Sequence, residues 1–255
     1  MPFQPVEAQK RAAAVIRQVE TLILRGVLRP GDRLPPEREL SERLGVSRPS
    51  LREAVAELQA RGLLDTRAGS GIYVADVLGS AFSPALIRLF ASHEDALLDY
   101  IAFRRDMEGL AAARAAATGS DTDLALVGAI FAKMEAAHES GDPAREAALD
   151  ADFHMAIVEA SHNVVMLHMM RSMMDLLREG VFYNRAIMFR QRTTRAALLD
   201  QHRAINDALQ VRDADGARAA VETHLAFVRT ALADRREADR HEGIARLRLK
   251  KEVGG

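Results

Sequence analysis

The stretch 45–58, GVSRPSLREAVAEL, decides how the first third of the chain is read. Leu51, Val55 and Leu58 recur at helical spacing. Ser47 is a natural N-cap for that helix. Yet the helix opens with Arg48 and Arg52, at the end where the macrodipole favours anions. Cations belong there when the anion comes from outside the protein.

Working outward, PERELSERLG (36–45) reads as a short helix, with Pro36 at its first turn and Gly45 at its end. Two helices joined by a short turn containing Gly form a helix-turn-helix. Downstream, LLDTRAGSGIYVAD (63–76) places two β-prone runs around a Gly-rich tip, a hairpin that makes the motif winged. Upstream, Val15, Val19, Leu22 and Ile23 define a helix over 8–25, broken by GVLRPGDRLP. In a helix-turn-helix the start of the second helix enters the major groove. Arg48 and Arg52 then reach a guanine edge or a phosphate, and Ser47 and Ser50 donate to phosphates or bases. Arg38 on the preceding helix holds the backbone. The tip RAGSG (67–71) carries little bulk and lets its backbone approach a groove. The other reading of the arginines is a surface helix paired through Glu53 and Glu57.

From 94 onward the pattern predicts helices near 94–117, 121–140, 143–161, 163–188, 193–211 and 213–238, an antiparallel bundle. The fold class is mainly α: a winged helix-turn-helix (1–76), a linker with a short helix (77–93), an all-helical domain (94–238) and a basic tail that frays (239–255).

The 255 residues carry a net charge of −1. Residues 1–75 hold 12 Lys/Arg against 9 Asp/Glu, and the rest holds 23 against 27, a mild bias toward an anionic partner in front. The absence of Cys excludes disulfides and thiolate zinc sites. No apolar run is long enough for a membrane span, and the N-terminus lacks a signal-peptide core, so a cytoplasmic protein without a membrane partner is expected.

Among eight His, three stand with a carboxylate in a suggestive set. Asp150 and His154 are four apart on one helix face. His202 and His224 sit on two later helices. Converging inside a bundle, they suit a divalent ion such as Zn²⁺, Ni²⁺ or Mn²⁺. Spacing alone leaves the other reading open, in which each is a surface or satisfied core histidine. Arg104, four before Glu108, reads on its own as an ion-pair partner.

The segment GDRLPPERELSERLGVSRPSLREAVAELQARGLLDTRAGSGIYV resembles the DNA-binding domain of GntR-family transcription regulators. The resemblance implies DNA contacts at Arg38, Ser47, Arg48, Ser50, Arg52 and Gly69. Pro49 stands where Thr is common, and brings no side-chain hydrogen bond. The pieces FRRDMEGLAA, DADFHMAIVEASHN, DQHRAIND and THL resemble the helical FCD effector domain of the FadR subfamily over residues 94–235. Metal-binding members place an Asp and three His at the positions of Asp150, His154, His202 and His224, and an arginine at the position of Arg104 that pairs with an effector carboxylate. The acyl-CoA-responsive members generally lack that set. EASHNVVMLHMMRSMMDLLREGVFYNR is similar to the lactate-, glycolate- and pyruvate-responsive branch, with no role assigned to His162, His168, Asn184 or Arg185. Met166 to Met174 read as packing.

The resemblance implies a homodimeric regulator on palindromic operator DNA, a repressor rather than an enzyme. It would respond to a small 2-hydroxy or 2-oxo carboxylate at a divalent metal. The alternatives are a metal sensor, a structural metal with another effector, and a metal-dependent hydrolase, for which no HExxH-like motif is present.

Overall fold

The structure, a computed structural model, describes residues 8–67, 69–76, 83–178 and 192–253. The chain divides into two compact units, Met1–Ala81 and Phe82–Gly255.

The first unit holds α1 (Ala8–Leu24), α2 (Glu37–Leu44), α3 (Arg48–Ala60), β1 (Leu64–Arg67) and β2 (Gly71–Val74). Ala12, Val15, Val19 and Ile23 of α1 are buried against Leu51, Ala54 and Leu58 of α3, with Leu34, Leu64 and Val74 closing the core. Each fully buried Leu or Ile contributes about 1.5–3 kcal/mol. Leu22, expected on the apolar face, is only half-buried. Between α2 and α3 the chain turns at Gly45, φ 63°, a left-handed conformation that a Cβ makes costly. Val46 N–H then donates to Ser41 O at 3.1 Å and closes the helix end. The strands pair antiparallel from Leu64↔Val74 to Arg67↔Gly71, and Arg33 bridges to Tyr73 beside them. Helix-turn-helix and wing are thus present as the hydrophobic spacing predicts.

The second unit contains α4 (Pro84–Ser92), α5 (Glu94–Thr118), α6 (Asp121–Ser140), α7 (Pro143–Ala160), α8 (Val164–Arg178), α9 (Arg192–Gln210) and α10 (Ala214–Val253). Caps set several starts. Ser120 and Asp123 form a reciprocal capping box on α6, and the Asp142 carboxylate accepts from the N–H groups of Ala144 and Arg145 on α7. Helix α5 packs on α10 and α7, α6 on α7, and α9 on α10 and α6. Met166, Met170 and Met174 are buried in this core, as the packing reading requires. No helix among the described residues is long and apolar enough to cross a membrane.

One boundary differs from the sequence reading. The segment assigned to a fraying tail, 239–255, continues α10 as helix to Val253. Its Arg, Glu, Ala, Leu and Lys are good helix formers, and only Gly243 weakens it. Arg235–Asp239 and Glu242–Arg246 pairs brace it one turn apart, and Lys250 and Lys251 suit the C-terminal dipole. Its side chains are solvent-exposed. The expected helix over 163–188 is described to Arg178, so Asn184 and Arg185 lie outside the described residues.

Candidate metal centre and nucleic-acid interface

Helix α7 is buried on almost every side: Leu149, Asp150, Ala151 and Phe153 through Val158 are all inside. A helix enclosed in this way carries its polar residues into the interior. Asp150 and His154, one turn apart, therefore project between helices rather than to water. His202 from α9 and His224 from α10 meet them there. All four are buried, and one donor atom from each lies within 4.8 Å of every other.

His202 Nε2 lies 3.0 Å from Asp150 Oδ1 and 3.4 Å from His154 Nε2. His154 Nε2 lies 3.7 Å from the same Asp150 oxygen. His224 turns Nδ1 outward onto Gln201 Oε1 at 3.0 Å, which leaves Nε2 for the cluster. The His202 and His224 rings stand 4.4 Å apart, centroid to centroid. Burial, then the neighbouring His202 and His154, push His224 well below the ordinary histidine value. Burial also pushes His154 down, against the pull of Glu108. A cation among these ring nitrogens and the Asp150 oxygen would meet a donor atom from each of the four residues. Three nitrogens and one oxygen at this spacing fit a borderline divalent ion.

Around the donors lies a supporting layer. Glu108 Oε2 is 2.7 Å from His154 Nδ1, and Glu108 Oε1 accepts from Arg104 Nε at 2.6 Å. Burial works to raise the Glu108 carboxyl, but Arg104 and then His154 outweigh it and hold it down to about 2. Arg104 is itself only 1 % exposed, so the guanidinium is committed to this interior cluster. The ion pair with Glu108 that the sequence offers is present, and it sits against the four buried donors. A carboxylate on the outer nitrogen of a ligating histidine fixes its tautomer and raises its basicity.

Two supporting residues escaped the sequence reading. The i, i+4 spacing gives Glu108 its arginine but not its contact with His154, which needs α5 laid against α7. Gln201, beside His202, serves the histidine of another helix. Its only sequence signal is adjacency to His202, one of the four candidate donors.

On α3, Ser47 caps the helix by accepting from Ser50 N–H at 3.3 Å. Ser47, Arg48 and Arg52 are exposed, as are Arg38 on α2 and Gly69 at the wing tip. Gly69 adopts φ 71°, which its lack of Cβ permits. Ala68 lies outside the described residues. Ser50 departs from expectation: it is 4 % exposed, and its hydroxyl is 2.9 Å from Ser47 Oγ, so it belongs to the cap and the domain interior. The pairing with Glu53 and Glu57 is not what forms. Glu57 is bound by Arg61 at 2.8 Å, and Arg52 reaches back to Glu37 at 2.9 Å. Arg48 carries no ion pair among the described residues, so its guanidinium is available to a ligand.

Comparison with known proteins fits both halves. The family described as "Bacterial regulatory proteins, gntR family" matches residues 11–74, and the FCD domain matches residues 99–227. An Escherichia coli (strain K12) protein named for regulation of an L-lactate dehydrogenase operon is 36 % identical over 239 residues, covering 91 % of each chain. The chain belongs to the GntR family, with an FCD domain. The "Glc operon transcriptional activator" of the same strain is 34 % identical over 223 residues, 86 % of this chain and 88 % of that one. A solved Streptococcus agalactiae GntR structure has a TM-score of 0.52 at 26 % identity, covering 88 % of this chain and all of the other. GntR proteins of this kind are DNA-binding transcription regulators, not enzymes, and the hydrolase alternative is set aside.

Proposed function

We propose that this GntR regulator binds a pseudo-palindromic operator as a homodimer and senses a small 2-hydroxy or 2-oxo carboxylate at a divalent metal. Asp150, His154, His202 and His224 hold the ion, and Arg104 receives the carboxylate. On DNA, Arg48 and Arg52 read or anchor from α3, with Arg38, Ser47 and the Gly69 tip on the backbone. Ser50 contributes by fixing the cap.

The observation that carries this reading is the close set of four buried donors, with a buried guanidinium one carboxylate away. When bound, the metal supplies an electrophilic point that an acid's carboxylate and its neighbouring oxygen recognise together. The chain supplies a pre-positioned cation: Glu108 holds Arg104 in place, and a planar guanidinium recognises a carboxylate through two parallel hydrogen bonds. Lactate, a 2-hydroxy acid, is the first candidate, because a similar protein is named for an L-lactate dehydrogenase operon. The acid shifts the regulator only by its differential affinity for two arrangements of the dimer. We assign repression as the sign, with acid releasing DNA. The similar glc-operon protein is named an activator, and a promoter-reporter assay with and without the acid decides the sign here.

A second reading has a specific observation behind it. Four protein donors complete a tetrahedral ion, and such a closed site is structural or sensory rather than ligand-binding. Acid sensing therefore requires an ion that accepts more than four ligands, as Ni²⁺ or Mn²⁺ does and Zn²⁺ does in five-coordinate form.

The test is a thermal-shift screen of metal-loaded protein against lactate, glycolate, pyruvate, citrate and sugar acids, each with and without chelator. An acid at 100 times its dissociation constant adds about 2.7 kcal/mol of stability. A shift for one acid that chelation abolishes is the expected result. A flat panel, with operator binding that depends on metal alone, would establish the metal sensor instead.

A further inference from the structure

Helices α7 and α9 bring Asp150 and His202 to within 3.0 Å, yet the two helices are not close neighbours. Helix α9 packs on α10 and α6, and α7 packs on α5, α6 and α8; α7 and α9 make no comparable contact with each other among the described residues. Helix α6 packs on both. Ridge-and-groove contact therefore does not set the height of His202 against Asp150 directly. That height is set at second hand, through α6, unless side chains bridge α7 and α9.

Such a bridge is present. Glu146 stands four residues before Asp150 on α7, and Arg195 stands seven before His202 on α9, so each shares a helix face with its donor. Arg195 Nη2 lies 2.6 Å from Glu146 Oε1, and Arg195 Nε donates to Oε2 at 3.2 Å, a two-pronged fork. The same Nη2 donates to His138 O at 2.9 Å, in the last turn of α6. His138 Nδ1 lies 3.3 Å from Glu146 Oε2. One guanidinium thus ties the end of α6 to the starts of α7 and α9. Glu146 also suits its place, because a carboxylate in the first turn of α7 meets the helix dipole favourably.

Glu146 is 4 % exposed and the Arg195 side chain 16 %, so both charges have given up most of their water. A buried ion pair costs desolvation that a well-packed apolar pair avoids, and it often adds nothing to stability. What the fork supplies is direction. Apolar side chains tolerate sliding along one another, whereas two parallel hydrogen bonds, with a third to a carbonyl, hold at one height and one rotation. A helical rise of about 1.5 Å per residue puts Arg195 about 10 Å from His202 and Glu146 about 6 Å from Asp150. Each clamped side chain is thus joined to its donor by one or two turns of helix. A ligating set tolerates displacements of only about 0.5 Å. We propose that Arg195 is a positioning residue for the candidate metal centre: forked onto Glu146 and the His138 carbonyl, it fixes α9 against α7 so that His202 and Asp150 can share one ion. The proposal rests on the metal reading above and names what holds the two donors in register.

The test is Co²⁺ titration of the full chain, followed by visible absorption, for the wild type, Arg195→Lys and the double variant Glu146→Met/Arg195→Met, with helicity and melting temperature measured on each. The double variant removes both charges together, so no buried charge is left unpaired and the melting temperature should stay near that of the wild type. Its Co²⁺ affinity should fall about 10–100-fold, the usual effect of losing a supporting partner, and its absorption bands should shift because the donors converge differently. Arg195→Lys keeps the charge without the fork, and its affinity should lie between the two. A pair that only stabilises the fold would move the melting temperature and leave the bands alone. A folded double variant with wild-type affinity and bands overturns the proposal. Should that variant fail to fold, Arg195→Lys decides, and wild-type affinity and bands there overturn it equally. A wild type that takes up no Co²⁺ is a separate failure: it removes the metal reading, and this proposal with it.

Discussion

Glu108 joins Arg104 to His154: one carboxylate oxygen accepts from Arg104 Nε at 2.6 Å, and the other lies 2.7 Å from His154 Nδ1. A single buried side chain thus supports both the proposed effector cation and a proposed metal ligand. Glu108→Gln removes the negative charge from between them. It should weaken metal binding about 10–100-fold, the usual effect of losing a supporting carboxylate. It should also cost about 3–5 kcal/mol of stability, because Arg104 is left buried without its counter-charge. Chelator competition and urea unfolding read the two effects separately. A variant with unchanged metal affinity would remove Glu108 from the metal centre.

Arg104→Ala separates binding of the acid from binding of the metal. The variant should retain its ion, by elemental analysis, and lose the acid-dependent change in operator affinity. Retention of the acid response would assign the carboxylate to another cation.

The metal-free protein should lose stability in two steps as pH falls. His154 and His224 have folded pKa values below the unfolded value of 6.5. Above 6.5 both states are neutral and nothing is at stake. Below it the unfolded chain takes up protons more readily, so stability declines. Glu108 behaves as a depressed carboxylate, about 2 folded against 4.5 unfolded. Its contribution is complete above 4.5 and disappears as pH falls toward 2. Urea unfolding in chelator at a series of pH values measures both. Bound metal should suppress the first step, since ligation needs neutral imidazoles.

On the DNA side, Arg48→Ala should weaken specific operator binding by about 1–3 kcal/mol while leaving the fold intact, because the side chain is exposed and has no ion pair among the described residues. Ser50→Ala should act differently. Its hydroxyl supports the Ser47 cap inside the domain, so the loss should appear in thermal stability. A gel-shift titration paired with a melt distinguishes them.

Local pattern made most of the fold legible. Leu51, Val55 and Leu58 at helical spacing, Ser47 at the N-cap and Gly45 at the end of the preceding helix are all short-range signals, and the elements form where they point. The four clustered donors were visible as residue types, with Asp150 and His154 readable as one pair, but nothing local joins His202 and His224 to them. That step came from the family resemblance. What stayed hidden depends on tertiary contact: Glu108 against His154, Gln201 against His224, and Ser50 turned inward although its type suits a DNA contact. The end of α10 was misjudged for a different reason. Basic, polar sequence reads as tail, yet helix formers with i, i+4 pairs propagate a helix already started.

The most direct test of the central claim is metal content by elemental analysis of purified wild type and of His202→Ala, with circular dichroism confirming that both are folded. One divalent ion per chain is expected in the wild type and none in the variant at equal helicity. A folded wild type that neither carries nor takes up an ion on titration would contradict it, and would leave Asp150, His154, His202 and His224 as a buried polar network only.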